Sequence, residues 1–338
     1  MNNIPTDANE LIEFSKRIQK YQNPVLWKSI WQIANTFIPY IGIWILIIYM
    51  RQISLIITGL LIVLAAGLLV RLFIIFHDCG HGSYFKSQKA NRIVGIFFGV
   101  LAFTPYDKWH NQHLKHHATV GNLDKRGVGD VWTMTTEEYD NSPRMTRLKY
   151  RIYRNPLVMF GLGSLYVFLI QNRLTQNWMT EKEKTNIYLT NLILAFIFVM
   201  MGSFIGFADF VIIQLLILYI AAISGLWLFY LQHQYENVAW VRNKDWNFRS
   251  IAINGSSYVK FPRILQWFSG NIGFHHIHHM NARIPNYNLP KCFQENEVFK
   301  KVKPITFTLS LKSLTLRLWD EKLQKLVSFR QKGQVNFT

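Results

Sequence analysis

The sequence predicts an all-α integral membrane protein with four transmembrane helices arranged as two hairpins. Two observations carry that expectation. Residues 29–50, 52–70, 185–208 and 210–235 contain no Asp, Glu, Lys or Arg, and a hydrocarbon core of about 30 Å needs roughly 20 apolar residues as helix. The spans are therefore placed at about 29–50, 53–76, 186–207 and 210–232, with turns at Arg51 and around Asp209. The second observation is where the charge lies. Residues 1–32 hold 4 Lys and Arg, 77–186 hold 15 and 232–338 hold 16, so 35 of 37 fall on one side, with Arg51 and Arg71 as the exceptions. The positive-inside rule puts the loops and both termini in the cytoplasm. A cytoplasmic cap built from 77–185 and 233–338 is expected, within one domain spanning 1–338.

Half of the 338 residues are apolar, 15% are aromatic, and the formal charge is +18. Such a charge fits either a nucleic-acid surface or cationic loops held against anionic lipid. Its one-sided distribution favours lipid, and no nucleic-acid module is present, so no nucleic-acid partner is expected. Cys79 and Cys292 both fall on the reducing side, so no structural disulfide is expected. The polar first thirty residues do not read as a cleavable signal, which leaves the first span as the insertion signal. Residues 93–106 are too short to cross. Residues 155–172 are free of charge but open with Pro156 between flanking Arg154 and Arg173. If the histidines share one site, an even number of crossings must separate 117 from 275, which puts 155–172 in the interface.

All eleven histidines fall in four places. His77 and His81 lie four apart at the end of the second span. His110, His113, His116 and His117 follow, His233 stands alone at the end of the fourth span, and His275, His276, His278 and His279 form HHIHH. Residues at i, i+3 and i+4 share one helix face. Each of His77/His81, His113/His116/His117 and His275/His278/His279 therefore aims its imidazoles at one place. Imidazole ligates iron, zinc and copper, and eight or nine rings exceed the needs of one ion. Two metal ions sharing the set is the economical reading. A lone span-end histidine such as His233 is ordinarily a packing residue, and so is one HxxxH pair. Two HxxHH clusters on the same membrane face are not, and they draw His233 into the site.

Intramembrane zinc proteolysis would need HExxH, whereas Asp78 follows His77 and two clusters would be left without a task. Cys79, two residues after His77, points off the His77/His81 face and is read as packing. Asp78, Asp107, Asp124 and Asp130 are candidate acceptors for orienting imidazoles. His110, three residues before His113, His276 and Asn271 complete the candidate supporting residues. The glycine-rich run 121–130 matches no phosphate-loop spacing and reads as a shaped loop near the site.

HDCGHGSYF at 77–85, HHATVGNLDKRGVGDVW at 116–132, LQHQYEN at 231–237 and GNIGFHHIHHMNARIPNYNL at 270–289 resemble the integral-membrane fatty acid desaturase and hydroxylase superfamily. Within it they are similar to the omega-6 type acyl-lipid desaturases. From about residue 30 to Phe329 the chain resembles the Bacillus-type enzymes that introduce a Δ5 double bond. The resemblance implies a di-iron cap ligated by His77, His81, His113, His116, His117, His275, His278 and His279, with His233 as the additional ligand. Related animal acyl-CoA enzymes carry an asparagine four residues before that histidine. Phe229 stands there in this chain, which leaves the last ligand of the second iron open, with Gln232 or Asn271 as candidates.

Removing hydrogen from unactivated methylenes demands an oxidant that no side chain provides, so the metal must carry the chemistry. The resemblance implies two iron ions, O2 as co-substrate and a cis double bond in a saturated acyl chain of membrane phospholipid. The setting it implies is a bacterial cytoplasmic membrane. Neither a dinucleotide fingerprint nor a His-Pro-Gly-Gly haem signature is present, so electrons are expected from a separate ferredoxin or flavodoxin type donor. A small acidic carrier suits the basic face. A lipid or carotenoid hydroxylase or ketolase on the same scaffold remains the alternative. A metal transporter or sensor would want polar residues along the bilayer path, and the four spans hold almost none.

Overall fold

The computed structural model describes residues 8–331. The outermost residues of both termini, which the charge count assigns to the cytoplasm, lie outside the described residues. Helix α1 (Ala8–Ile18) leads into α2 (Leu26–Met50) and α3 (Leu55–Gly80), followed by α4 (Gln88–Leu101) and α5 (Tyr106–Thr119). Next come α6 (Thr136–Asn141), α7 (Arg144–Tyr153) and α8 (Leu157–Arg173). A long pair, α9 (Glu181–Ile205) and α10 (Phe207–His233), precedes the short helices α11 (Phe248–Asn254), α12 (Arg263–Phe268) and α13 (His275–Met280). Strand content is slight. Met134–Thr135 pairs in parallel with Leu318–Asp320, which pairs antiparallel with Lys325–Val327.

Among the described residues α2, α3, α9 and α10 are the single helices long and apolar enough to cross a bilayer. The starts of α3 and α9 depart from their apolar runs for local reasons. Thr180 and Glu183 form a reciprocal capping box, so α9 starts while the sequence is still charged. Ser54 Oγ accepts from the Ile57 amide and starts α3 at Leu55. From there α3 runs 26 residues, and at about 1.5 Å per residue it outlasts the hydrocarbon core. That overhang carries His77 beyond the apolar layer. Gly206, at φ 95°, turns α9 directly into α10. Arg51 Nε donates to Asp209 Oδ2 at 2.8 Å and Nη2 to the Ile205 carbonyl at 3.2 Å, joining the turns of the two hairpins.

Arg154, Asn155 and Pro156 separate α7 from α8, which bend by 65°. Much of α8 winds as π-helix, over Leu157–Leu162 and Tyr166–Ile170. Taken as one segment, the bent pair would make a fifth crossing or a re-entrant loop.

Close packing fixes α4 against α3 and α5. A Cβ on Gly95 would enter the Tyr106 ring, and one on Gly99 would lie 2.6 Å from the Thr104 carbonyl oxygen. Tyr106 Oη donates to the Cys79 carbonyl at 3.0 Å. Cys79 is buried in this apolar core, and both Cys79 and Cys292 are free thiols. The Thr104 oxygen, being backbone, cannot rotate away from a Cβ at Gly99. Gly99→Ala should therefore destabilise the fold by about 1–3 kcal/mol, read as an earlier thermal unfolding midpoint in detergent. An unchanged midpoint would contradict this packing.

Candidate metal centre

Four helices bring the histidines together. α3 supplies His77 and, at its C-cap, His81; α5 supplies His113, His116 and His117; α10 ends on His233; α13 supplies His275, His278 and His279. Nine of the eleven histidines form two adjoining groups. His77, His81, His113, His117 and His278 offer ring nitrogens that all lie within 4.8 Å of one another, and so do His116, His233, His275 and His279.

The division corrects the expectation that each box aims at a single place. Histidines four apart stay together, as His113 with His117 and His275 with His279, while His116 and His278 cross to the other group. Helix geometry explains this. Successive residues turn by about 100°, so His116 and His117 point to different neighbours. The groups touch where the His117 and His279 rings stack at 4.1 Å.

Within the first group, Nε2 of His113 lies 3.1 Å from Nε2 of His77 and 3.1 Å from Nε2 of His117, which lies 3.1 Å from Nε2 of His278. In the second, His233 Nε2 lies 3.1 Å from His116 Nε2 and 3.0 Å from His275 Nε2. These nitrogens cannot all satisfy one another, because each Nε2 of a neutral imidazole offers either one N–H or one lone pair while those of His113, His117 and His233 each face two neighbours. Buried His81 Nε2 and both nitrogens of His279 have no hydrogen-bond partner. A metal bound at about 2.1 Å sets perpendicular ligands about 3.0 Å apart. The donor set therefore fits a metal ion in each group.

Several rings are oriented from behind. His77 Nδ1 faces Asp78 Oδ1 at 3.1 Å, His116 Nδ1 faces Asp130 Oδ1 at 2.6 Å, and His233 Nδ1 lies 2.9 Å from the Gly255 carbonyl. With the proton on Nδ1, each contact leaves the Nε2 lone pair free to coordinate. Asp78 is itself held, as its Oδ2 accepts from the Asn286 amide at 2.7 Å and from Asn286 Nδ2 at 2.9 Å. Trp109 stacks on His113 with ring centres 4.3 Å apart. Burial, with a contribution from neighbouring imidazole charge, holds His113, His117, His275, His278 and His279 well below the ordinary imidazole range. Both causes favour the neutral form of the ring, which carries the lone pair a metal ion needs.

Other candidates lie elsewhere. His110 stands outside both groups with its ring parallel to Tyr106 at 5.9 Å. His276 packs against Phe299 and Tyr258, and burial pushes it down to about 3. Asn271, at φ 61°, accepts from Gln266 and donates to the Asn286 carbonyl, so it reaches His77 only through Asn286 and Asp78. Asp107 pairs with Arg92 and Lys182, and Asp124 with Arg242. Neither of those carboxylates touches a site histidine. Phe229 sets its ring 5.4 Å from His116 and 5.8 Å from His233, an apolar wall on the four-histidine group. Gln232 is buried next to His233. Sequence reasoning missed Asn286, Gly255 and Trp109. Asn286 lay inside a quoted motif, and Trp109 stood four residues before His113, but a backbone carbonyl such as that of Gly255 leaves no residue-type signal.

Known proteins complete the picture. The fatty acid desaturase family profile matches residues 53–307. A fatty acid desaturase of Bacillus subtilis (strain 168) is 43% identical over 325 residues, covering 96% of this chain and 92% of its own. An sn-1 acyl-lipid omega-3 desaturase (ferredoxin) of Synechocystis sp. is 28% identical over 251 residues, covering 69% of this chain and 64% of its own. An omega-3 fatty acid desaturase of the endoplasmic reticulum of Vigna radiata is 27% identical, covering 64% and 59%. For these last two, the chain spans slightly less than two thirds of the relative's length. With four bilayer-length helices and two histidine cages able to bind metal, the chain belongs to the fatty acid desaturase family of membrane oxidoreductases.

Proposed function

We propose that this desaturase introduces a cis double bond, at Δ5, into a saturated acyl chain of membrane phospholipid, using two iron ions held by nine histidines. The five-nitrogen and four-nitrogen cages side by side carry the proposal. Structural zinc takes four ligands tetrahedrally, and the first cage offers five nitrogens, which favours a redox metal of higher coordination number. His77, His81, His113, His117 and His278 would hold one iron, and His116, His233, His275 and His279 the other. When bound, the pair together with O2, two external electrons and two protons would supply the oxidising power that removes two hydrogens from neighbouring methylenes, both oxygen atoms leaving as water.

The protein's part is positional. Asp78, Asp130 and the Gly255 carbonyl hold three rings in register. Phe229 and Trp109 keep water from two sides. The apolar ends of α3 and α10, leading into His77 and His233, offer walls for an acyl chain. Geometry then selects the reacting carbons.

The cyanobacterial relatives from Synechocystis and Nostoc are named as acyl-lipid desaturases that use ferredoxin. Those names support an acyl lipid as substrate class and a ferredoxin type protein as donor; phospholipid is the acyl lipid proposed here, and a flavodoxin type protein the other donor proposed. The proposed orientation places the metal face and both termini in the cytoplasm of a bacterial cell, with α8 in the interface and one domain across the chain.

Expression in a host lacking unsaturated C16 and C18 chains should yield a new cis-monoene, located by mass spectrometry and lost in His278→Ala. An oxygenated product would instead assign hydroxylation. Metal analysis of the purified protein should find about two irons per chain, and about one or less in His279→Ala. Equal iron in both proteins would remove that residue from the ligand set. Docking of an acidic donor on the basic face predicts slower electron transfer as salt rises beyond about 0.15 M. A salt-independent rate in stopped-flow reduction would contradict this mode.

A further inference from the structure

Among the described residues Arg71 is the one Lys or Arg within the spans placed at 29–50, 53–76, 186–207 and 210–232, and the candidate metal centre makes no use of it. It is only 6% exposed. A charge buried at membrane depth is costly and calls for a partner. Its Nε donates to Thr36 Oγ1 at 3.0 Å, its Nη1 donates to the Trp267 carbonyl, and its guanidinium sits 4.0 Å from the Trp267 ring centre. None of these groups is anionic. Among the described residues no carboxylate pairs with Arg71, and no hydrogen bond of its Nη2 is found.

Arg71 and Lys28 line one cavity of about 270 Å³ together with the amides of Gln32, Asn35 and Asn271. Lys28 also lacks a carboxylate partner among the described residues, its Nζ lying 5.8 Å from the Tyr287 ring centre. Trp27 and Trp31, 65% and 61% exposed, form the outer rim on the first turns of α2. Tryptophan at a span end settles at the level of lipid head groups. The cavity is smaller than most ligand pockets, large enough for a head group and too small for an acyl chain.

We propose that this cavity is a phosphate site, occupied by the phosphodiester of a membrane phospholipid, and that it seats the lipid whose chain is desaturated. The second half rests on the phospholipid reading given above. An anion would supply the partner that two unpaired cations lack, and the guanidinium fork matches phosphate oxygens. The position also suits a substrate. Arg71 precedes His77 by six residues on α3, about 9 Å along the axis. Gln32 Nε2 and Asn271 Nδ2 both donate to Asn286, the residue that holds Asp78 behind His77.

The test is binding, read by native mass spectrometry on the delipidated full chain in neutral detergent. The probes are dipalmitoyl phosphatidylglycerol, the diacylglycerol with the same chains, and inorganic phosphate. Wild type should take up one phosphatidylglycerol and bind the diacylglycerol at least about tenfold more weakly. Arg71→Gln should abolish the preference. Lys28→Gln, at the rim, should reduce it about tenfold and carries the test if Arg71→Gln does not fold. Equal lipid affinity in wild type and Lys28→Gln would overturn the site, as would diacylglycerol binding as tightly as the phospholipid. Inorganic phosphate binding as tightly as the lipid would overturn the lipid source. Binding is read without turnover, so the substrate reading fails separately. Intact head-group binding with no product from phospholipid would overturn that reading and leave the site standing.

Discussion

Nine imidazoles from four helices must converge, and their lone pairs face one another in a largely buried space. Neutral nitrogens 3.0–3.1 Å apart are poorly satisfied by each other, so the arrangement makes sense only around cations. The rest of the architecture serves that convergence. α3 must outlast the hydrocarbon layer, and α10 must end on His233. Short α13 must lie against both, and carboxylates and a carbonyl must stand behind the rings. Packing of α4 through Gly95 and Gly99 belongs to the same requirement, because Tyr106 opens α5 and bonds the last turn of α3.

The membrane frame and the metal centre are bound by one long helix. Apolar length anchors α3 in lipid, while its final turns leave that layer and become part of a polar, hydrogen-bonded cap. Asp78 is the join between them. It orients His77 on one side and is gripped by Asn286 on the other, and Asn286 in turn bonds Gln32 on α2. A carboxylate beside a cage histidine thus reaches the helix that forms the other arm of the hairpin.

The parts of the fold governed by strong, periodic constraints were legible in the sequence. Bilayer thickness sets a length, so the four apolar runs stood out. Their helix ends did not, because caps such as Thr180 with Glu183 act outside the apolar stretch. Histidine spacing disclosed which residues could meet. The division between the two groups was hidden by treating i, i+3 and i+4 as one face, although the angle between His116 and His117 was available from helix geometry. Supporting contacts divided by chemistry: Asp78 and Asp130 announced themselves as carboxylates, whereas the Gly255 carbonyl has no side-chain signature.

The interleaving of the boxes has a thermodynamic consequence. α5 and α13 each contribute to both cages, so an ion seated in one cage draws together two of the three helices that define the other. The ordering entropy of those helices is then largely spent before the second ion arrives. With an ion in each cage, loading would accordingly be cooperative: the half-filled protein would be the scarce species, and partial metal starvation would give a mixture of full and empty molecules.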